Sequence, residues 1–386
     1  MRNELGNPRL LRIMNERRLL DQLHRDGPTS RADLAKLTGL SKPTVSAALA
    51  GLEEDGLVHL VGEVSGRPGP VTSLYDVNAG SAHLAGIDIG RDWIRVAVAD
   101  LRGAFAGRTD SRNTARTSAE LGTLVGDLAR TVAAQAEISW ASVLCAVVGS
   151  PGVYVPGEGR LDFAPNLPGP DLAVPLRAAL GVDLVIENDI NLAAVGEHAY
   201  GEGRDHDSFA LVSVGTGVGM GIVVNGELYV GARGAAGEVS YLPVADDAVL
   251  LADARVHGAT EAVTAAEGVV RAARAAGLDL STAKEVFTSA AGGNPAALSV
   301  VEGEGRRIGG LLVAVAAVLD PELIVLSGGV GRNLDLLGGA IQRRIAELGP
   351  LRPRIVASAL GDSGVLLGAV AHARARAWEL IFAARK

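Results

Sequence analysis

Three short apolar runs end in glycine in the same way, and that pattern most constrains the fold. Residues 84–90, Leu84-Ala85-Gly86-Ile87-Asp88-Ile89-Gly90, read as a buried strand closed by an acid and a glycine. Residues 209–215 close on Thr216-Gly217-Val218-Gly219-Met220-Gly221, and residues 323–326 on Ser327-Gly328-Gly329-Val330-Gly331. Each run has strand length and is bounded by turn residues. After the first come strand patterns at 93–100 and 103–108, a helical pattern at 118–137, and a strand at 143–149 ending in Ser150-Pro151-Gly152. Residues 182–186 then lead into Glu187-Asn188-Asp189 and a helix through Ala199, and a further strand is expected at 221–225. Strand-turn-strand units repeated in this way predict two similar α/β lobes with a cleft between them. A glycine at a strand end lets backbone N–H groups approach a phosphate. Taken alone, Thr216-Gly217-Val218-Gly219 reads equally well as an ordinary hairpin.

The first eighty residues follow a different pattern. Residues 8–25 repeat apolar side chains at helical spacing, and Gly27-Pro28 stops the run. Ser30 is placed to cap a short helix at 31–37, with Asp33 three residues on. Thr38-Gly39-Leu40 makes a turn. Ser41 caps a third helix, with Pro43 in its first turn, where proline is tolerated. Its core face is Val45, Leu49 and Leu52. Its exposed N-terminal face is Ser41, Lys42, Thr44, Ser46 and Ala47, small, polar and basic. Such a face can enter a major groove about 12 Å wide and reach bases and phosphates. Residues 57–61 and 71–75 alternate like a hairpin around a Gly/Pro-rich tip carrying Arg67, which could reach a minor groove or a phosphate. The segment therefore predicts a winged helix-turn-helix with Arg31, Ser41, Lys42, Thr44, Ser46 and Arg67 facing double-stranded DNA. A plain three-helix bundle is the competing reading.

Charge placement agrees with that prediction. The net charge is −8, yet residues 1–50 hold nine basic and five acidic side chains. A basic front end on an acidic body suits binding to nucleic acid through that end. The single cysteine, Cys145, rules out an intrachain disulfide and a multi-cysteine zinc site. No apolar run approaches the ~20 residues of a membrane span, and the N-terminus lacks a signal-peptide core. A cytoplasmic protein with no membrane partner is expected.

The joint order of these motifs resembles the ROK family (repressors, open reading frames and kinases) of the actin/hexokinase-like superfamily. The likeness rests on Gly86-Ile87-Asp88-Ile89-Gly90 with Arg95, on Ala164-Pro165-Asn166-Leu167-Pro168-Gly169, on Glu187-Asn188-Asp189-Ile190-Asn191, and on residues 231–243. It implies an α/β chain. A winged helix-turn-helix at 1–80 precedes a two-lobed actin/hexokinase-like, ribonuclease H-like ROK domain at 81–386. The lobes lie at about 81–190 plus the C-terminal helix, and 191–365. In family kinases the Asp of Glu-Asn-Asp is the general base, which matches Asp189. Asn166, Asn188, Asp189, Glu238 and Glu261 are assigned to the sugar, and Tyr241, at the position of a family metal ligand, could stack on a sugar face. Without the resemblance, Asn188-Asp189 would be read as a helix cap.

The chain also departs from the family pattern. Kinases carry Asp-x-Gly-Gly-Thr at the first loop, whereas this sequence has Asp88-Ile89-Gly90-Arg91-Asp92. The Asp92 carboxylate would repel a phosphate. Asp88, Gly90, Thr216, Gly217, Gly328 and Gly329 are then vestigial phosphate-loop residues. The family's zinc histidine is replaced by Tyr241 and its three cysteines by Ala252, Ala254 and Ala259. Zinc needs about four N or S donors, so no structural zinc and no cofactor are expected. The resemblance implies a DNA-binding repressor, a homodimer or homotetramer, that responds to a sugar or sugar derivative and has no kinase activity. An active sugar kinase with an appended DNA-binding domain is the alternative. A regulator whose cleft is only a dimerisation scaffold is another.

Overall fold

In the computed structural model, residues 8–64, 72–155, 160–162, 171–243 and 254–385 are described. The N-terminal unit comprises α1 (Pro8–Asp26), β1 (Thr29–Ser30), α2 (Arg31–Thr38), α3 (Lys42–Glu54), β2 (Val58–Val64) and β3 (Thr72–Val77). The serines expected as caps do cap. Ser30 Oγ accepts from Asp33 N–H and Ser41 Oγ from Thr44 N–H, satisfying donors that helix starts leave open. Gly39, at φ 68°, makes the turn between α2 and α3. The three strands pair in the order β1-β3-β2. Leu19, Leu23, Leu34, Val45, Leu49 and Leu52 close the core of this unit.

The first lobe contains β4 (His83–Ile89), β5 (Trp93–Asp100), β6 (Phe105–Arg112), α4 (Ser118–Gln135), β7 (Val143–Ser150), β8 (Val153–Val155), β9 (Arg160–Asp162), α5 (Ala173–Leu180), β10 (Asp183–Asn188) and α6 (Asp189–Tyr200). The second contains β11 (Phe209–Val214), β12 (Val218–Val224), β13 (Glu227–Leu228), α7 (Ala254–His257), α8 (Ala259–Thr264), α9 (Ala266–Ala275), α10 (Ala283–Ala291), α11 (Pro295–Leu319), β14 (Leu323–Ser327), α12 (Gly328–Gly331), α13 (Leu334–Leu348) and β15 (Ile355–Ala357). α14 (Gly364–Ala383) ends the chain.

The two large sheets repeat one plan. The first has the order β6-β5-β4-β7-β10 and the second β13-β12-β11-β14-β15. In each, three antiparallel strands are followed by two parallel ones. α4 and α5 cover one face of the first sheet, where Ile87, Val96, Leu121 and Leu176 are buried together. α14 covers the other face through Leu366, Val370 and Ala373 against Leu84, Ala97 and Val147. In the second lobe Val212, Val269, Phe287, Ile308 and Leu326 share one core.

The hairpin strands run longer than expected, over Val58–Val64 and Thr72–Val77, and the strand expected at 103–108 lies at Phe105–Arg112; two further boundaries differ for a packing reason. Residues 216–221 are not one glycine loop. The turn is confined to Gly215-Thr216-Gly217, and β12 begins at Val218, paired with Val214. Gly219 and Gly221 lie within the strand because α6 passes over it. A Cβ on Gly221 would stand 2.8 Å from Ile190 O. β10 likewise runs past 186 to Asn188, since Glu187 and Asn188 pair with Gly149 and Ser150.

Candidate functional site

A cleft of about 930 Å3 opens between the lobes. Its floor is built from the ends of β4 and β10, the β11–β12 turn, the segment around Glu238, and α8. It lies within the ~300–1,000 Å3 range usual for small-molecule sites.

At the N-terminus of α6, Asn188 Oδ1 accepts from Ile190 N–H at 2.9 Å and Asn191 N–H at 3.0 Å. Its Nδ2 donates to Gly152 O at 3.1 Å. The capping role is therefore real, and one amide hydrogen remains for a ligand. Asp189 Oδ1 accepts from Ile190 N–H at 2.9 Å. Burial, and then the neighbouring charge of Asp88, push the Asp189 carboxyl up to about 7. Asp88 is itself buried and held 2.8 Å from Arg95 Nη1, and burial outweighs that partner in raising its carboxyl too.

Glu238 and Glu261 face the same space. Burial raises both carboxyls, and the Glu261 charge raises Glu238 further. Glu261 Oε2 accepts from Val218 N–H at 2.8 Å, while Oε1 lies 3.5 Å from His257 Nδ1. Tyr241 lines the cleft beside them, and burial together with these two acids raises its hydroxyl above the ordinary tyrosine value. The cluster thus offers carboxylate acceptors and a phenol donor, a set suited to hydroxyl-rich ligands.

The glycine loops line the same cleft, and the Gly217 turn lies directly against Glu261. Gly90 N–H donates to Trp93 O at 2.9 Å within the β4–β5 turn, so this amide is engaged inside the protein. Arg91 and Asp92 follow it into the cleft. Gly328, at φ 81°, would bring a Cβ within 2.4 Å of Val214 O, so it is glycine for packing; Gly329 is open. Thr216 and Gly217 line the turn. Sequence reasoning overlooked Trp93, Lys284, Arg332 and Asp362, which also line the cleft. Arg332 pairs with Asp362 at 3.1 Å across 29 intervening residues, a contact that leaves no local sequence signal. Trp93 carries the Arg112 guanidinium 4.2 Å from its ring centroid.

The residues at the family's zinc positions do not fit a metal. Tyr241, Ala252, Ala254 and Ala259 supply no imidazole or thiolate. Among the described residues, no group of three or more His, Cys, Asp and Glu side chains could hold an ion. Asn166 and Ala252 lie outside the described residues, as does Arg67.

At the other end of the chain, Ser41, Lys42 and Ser46 on α3 are exposed and Thr44 is half-buried. The Ser41 and Thr44 hydroxyls bond each other at 2.8 Å. Arg31 is held against Tyr75 by a hydrogen bond to its hydroxyl and by stacking, 4.8 Å from the ring centroid. That contact ties α2 to β3.

Fold and site together define a winged helix-turn-helix unit joined to a two-lobed body of the sugar-kinase type. A ROK family model matches residues 84–376, and a MarR family model matches residues 13–67. The chain belongs to the ROK family. It is 28% identical over 246 residues to the xylose repressor of Bacillus subtilis, a match covering 62% of this chain and 63% of that protein. The chain therefore matches less than two thirds of that repressor's own length. It is 31% identical to the glucokinase of Halalkalibacterium halodurans, covering 57% of this chain and 73% of that enzyme. Among solved structures, a ROK family transcriptional regulator described as a homolog of the E. coli MLC protein superposes with a TM-score of 0.81. That superposition has 21% identity and covers 97% and 98% of the two chains. The Streptomyces griseus ROK family glucokinase, solved with glucose and AMPPNP, gives 0.65 at 24% identity, over 76% of this chain and all of that one. The chain is thus related both to regulators and to sugar kinases. Among the described residues, no helix is long and apolar enough to cross a membrane.

Proposed function

We propose that this chain is a sequence-specific DNA-binding transcriptional regulator, a repressor of carbohydrate genes. A sugar or sugar derivative in the cleft would modulate its grip on DNA. The observation that carries this reading is the pairing of two ends. The exposed polar face Ser41, Lys42, Thr44 and Ser46 sits on a chain whose cleft keeps Asn188, Asp189, Glu238 and Glu261 but has Arg91 and Asp92 in its first loop. Arg31 is assigned to the DNA contact as well, and Arg67 to the wing. Asn166 is assigned to the sugar with them, and Tyr241 takes the place of the family's metal-binding histidine. Ligand that favours one arrangement of the lobes shifts the population toward it. In a homodimer or homotetramer, that shift changes how two recognition helices fit the half-sites of a palindrome.

The test has two parts. A footprint of the full-length chain on its own promoter region is expected to show a protected operator; no protection at any salt concentration removes the DNA-binding reading. A thermal-shift screen of sugars and sugar phosphates is expected to raise the melting temperature with at least one of them, because a ligand that binds only the folded state stabilises it by mass action. Protection without any thermal shift would favour a regulator whose cleft is only a scaffold.

The second reading, an active sugar kinase with an appended DNA-binding unit, is favoured by one observation. The Asp189 carboxyl, at about 7, is tuned for proton transfer near neutrality. ATP-dependent phosphorylation of a hexose, abolished by Asp189→Asn, would establish it.

A further inference from the structure

We infer that α14 is the rod that carries a change in the cleft to the DNA-binding unit; the inference rests on the regulator reading above only for its purpose. Three groups of contacts support it. The first is at its start, where residues 358–363 cross from the second sheet to the helix. Arg332 of the second lobe pairs with Asp362 at 3.1 Å. Arg108 of the first lobe donates to Ser363 Oγ at 3.0 Å. Arg108 also holds Asp110, which Arg95, itself lining the cleft, joins to the buried Asp88. Both lobes therefore hold the segment that leads into α14.

The second group is along its length. α6, which begins at Asp189 in the cleft, crosses α14 backbone against backbone. A Cβ on Gly368 would stand 1.7 Å from Leu192 O, and one on Gly196 would stand 2.4 Å from Gly364 O. A crossing this close leaves α6 no freedom to move without displacing α14.

The third group is at its end. Trp378, Ile381 and Phe382 are packed into the same core as Leu19, Leu23, Leu49 and Leu52. Just beyond the helix, Arg385 donates to Glu16 Oε2 at 2.8 Å and to Gly51 O at 3.2 Å, and pairs with Asp55. The DNA-binding unit is thus not a bead on a tether. Its connection to the body is pinned as well: Asn78 N–H donates to Leu57 O, and Leu101 N–H to Ala79 O. Arg102 in the β5–β6 turn reaches Asp76 and Leu23 O. A helix of 20 residues is about 30 Å of stiff rod, and packed contacts shift as units rather than flexing.

The experiment places a wedge at one end and reads the other, with neither DNA nor sugar present. Gly368→Ala drives α14 off α6; Gly196→Ala is the milder wedge should the first variant not fold. Amide hydrogen exchange is followed by mass spectrometry in the full-length chain. The expected result is exchange in α1 and α3 faster by about threefold or more, a sub-global opening transmitted from the wedge. In a Phe382→Ala background the wedge is expected to add nothing to exchange in α1 and α3. Altered exchange confined to α6 and α14, with α1 and α3 as in the parent chain, overturns the inference. So does an equal effect of the wedge with and without Phe382. Because no operator is used, a chain that binds no DNA would remove the regulator reading and leave this coupling tested.

Discussion

Asp189→Asn should stabilise the protein in alkali and leave it unchanged in acid. The folded-state carboxyl sits at about 7, raised by burial and by Asp88, whereas an unfolded aspartate titrates near ~3.9. Between those values the folded chain holds a proton that the unfolded chain has released. Stability therefore falls as pH rises through that window, and the penalty is complete above it. Three units at about 1.4 kcal/mol each set a ceiling of about 4 kcal/mol. Asp189 is partly open to the cleft, so water screening brings the expected gain down to about 1–2 kcal/mol. The asparagine is nearly isosteric with the protonated acid, so the two proteins should melt together at low pH. Melting curves of both proteins at about pH 4, near the unfolded value, and at about pH 8.5 are compared; a gain of about 2 °C or more is expected at the higher pH only. An offset of the same size at both values would refute the reasoning, because it would show that the substitution acts through packing or the helix cap and not through charge.

Four further outcomes can be checked directly. Arg385→Ala leaves the buried Glu16 carboxylate paired with Arg12 alone among the described residues, so a loss of about 1–3 kcal/mol is expected in denaturant melts that follow the N-terminal helices; no loss would mean the clasp contributes nothing. Gly237→Ala should destabilise the second lobe and weaken cleft ligands, because at φ 91° its Cβ would stand 1.9 Å from Met220 O; unchanged melting and ligand response would contradict this. Lys42→Ala should weaken operator binding and lower the salt slope by about one, whereas an unchanged slope would place the phosphate contact elsewhere. Elemental analysis of protein grown with zinc should find no metal, and one zinc per chain would overturn the reading of Tyr241, Ala254 and Ala259.

Much of the fold was legible because it is local. Ser30 and Ser41 announce helix starts, and the capping bonds are found where those residues stand. The apolar runs ending at Gly90, Gly215 and Ser327 are strands whose repetition predicted paired lobes. The cleft acids were found through the family motif, since a capping asparagine and a sugar-binding asparagine look identical in sequence. What could not be read was contact at long separation. Phe382 completing a core with Leu19, and Arg385 reaching Glu16, join the last residues of the chain to nearly the first. Such pairs leave no periodic trace. Arg31 shows the same limit, because only the folded chain brings the Tyr75 ring under it.

Glycine patterns and polar identities report different things in this chain. Gly221 is required by the passage of α6, and Gly328 by the approach of Val214, so the fold itself demands them whether or not a phosphate binds. The backbone donors nearby are already engaged: Gly90 N–H by Trp93 O, and Val218 N–H by Glu261. A glycine signature can therefore be kept by packing alone, and does not by itself report phosphate chemistry. The polar side chains are free of that constraint. Arg91 and Asp92 stand exposed on the β4–β5 turn, where their charges face whatever enters the cleft. The same holds at Tyr241, which is partly exposed beside two carboxyls. Function in this fold is thus written at the few positions packing leaves undetermined. In this chain those positions combine acceptors for hydroxyl groups with a first loop that carries its own anion, while the helix behind them ends inside the core of the DNA-binding unit.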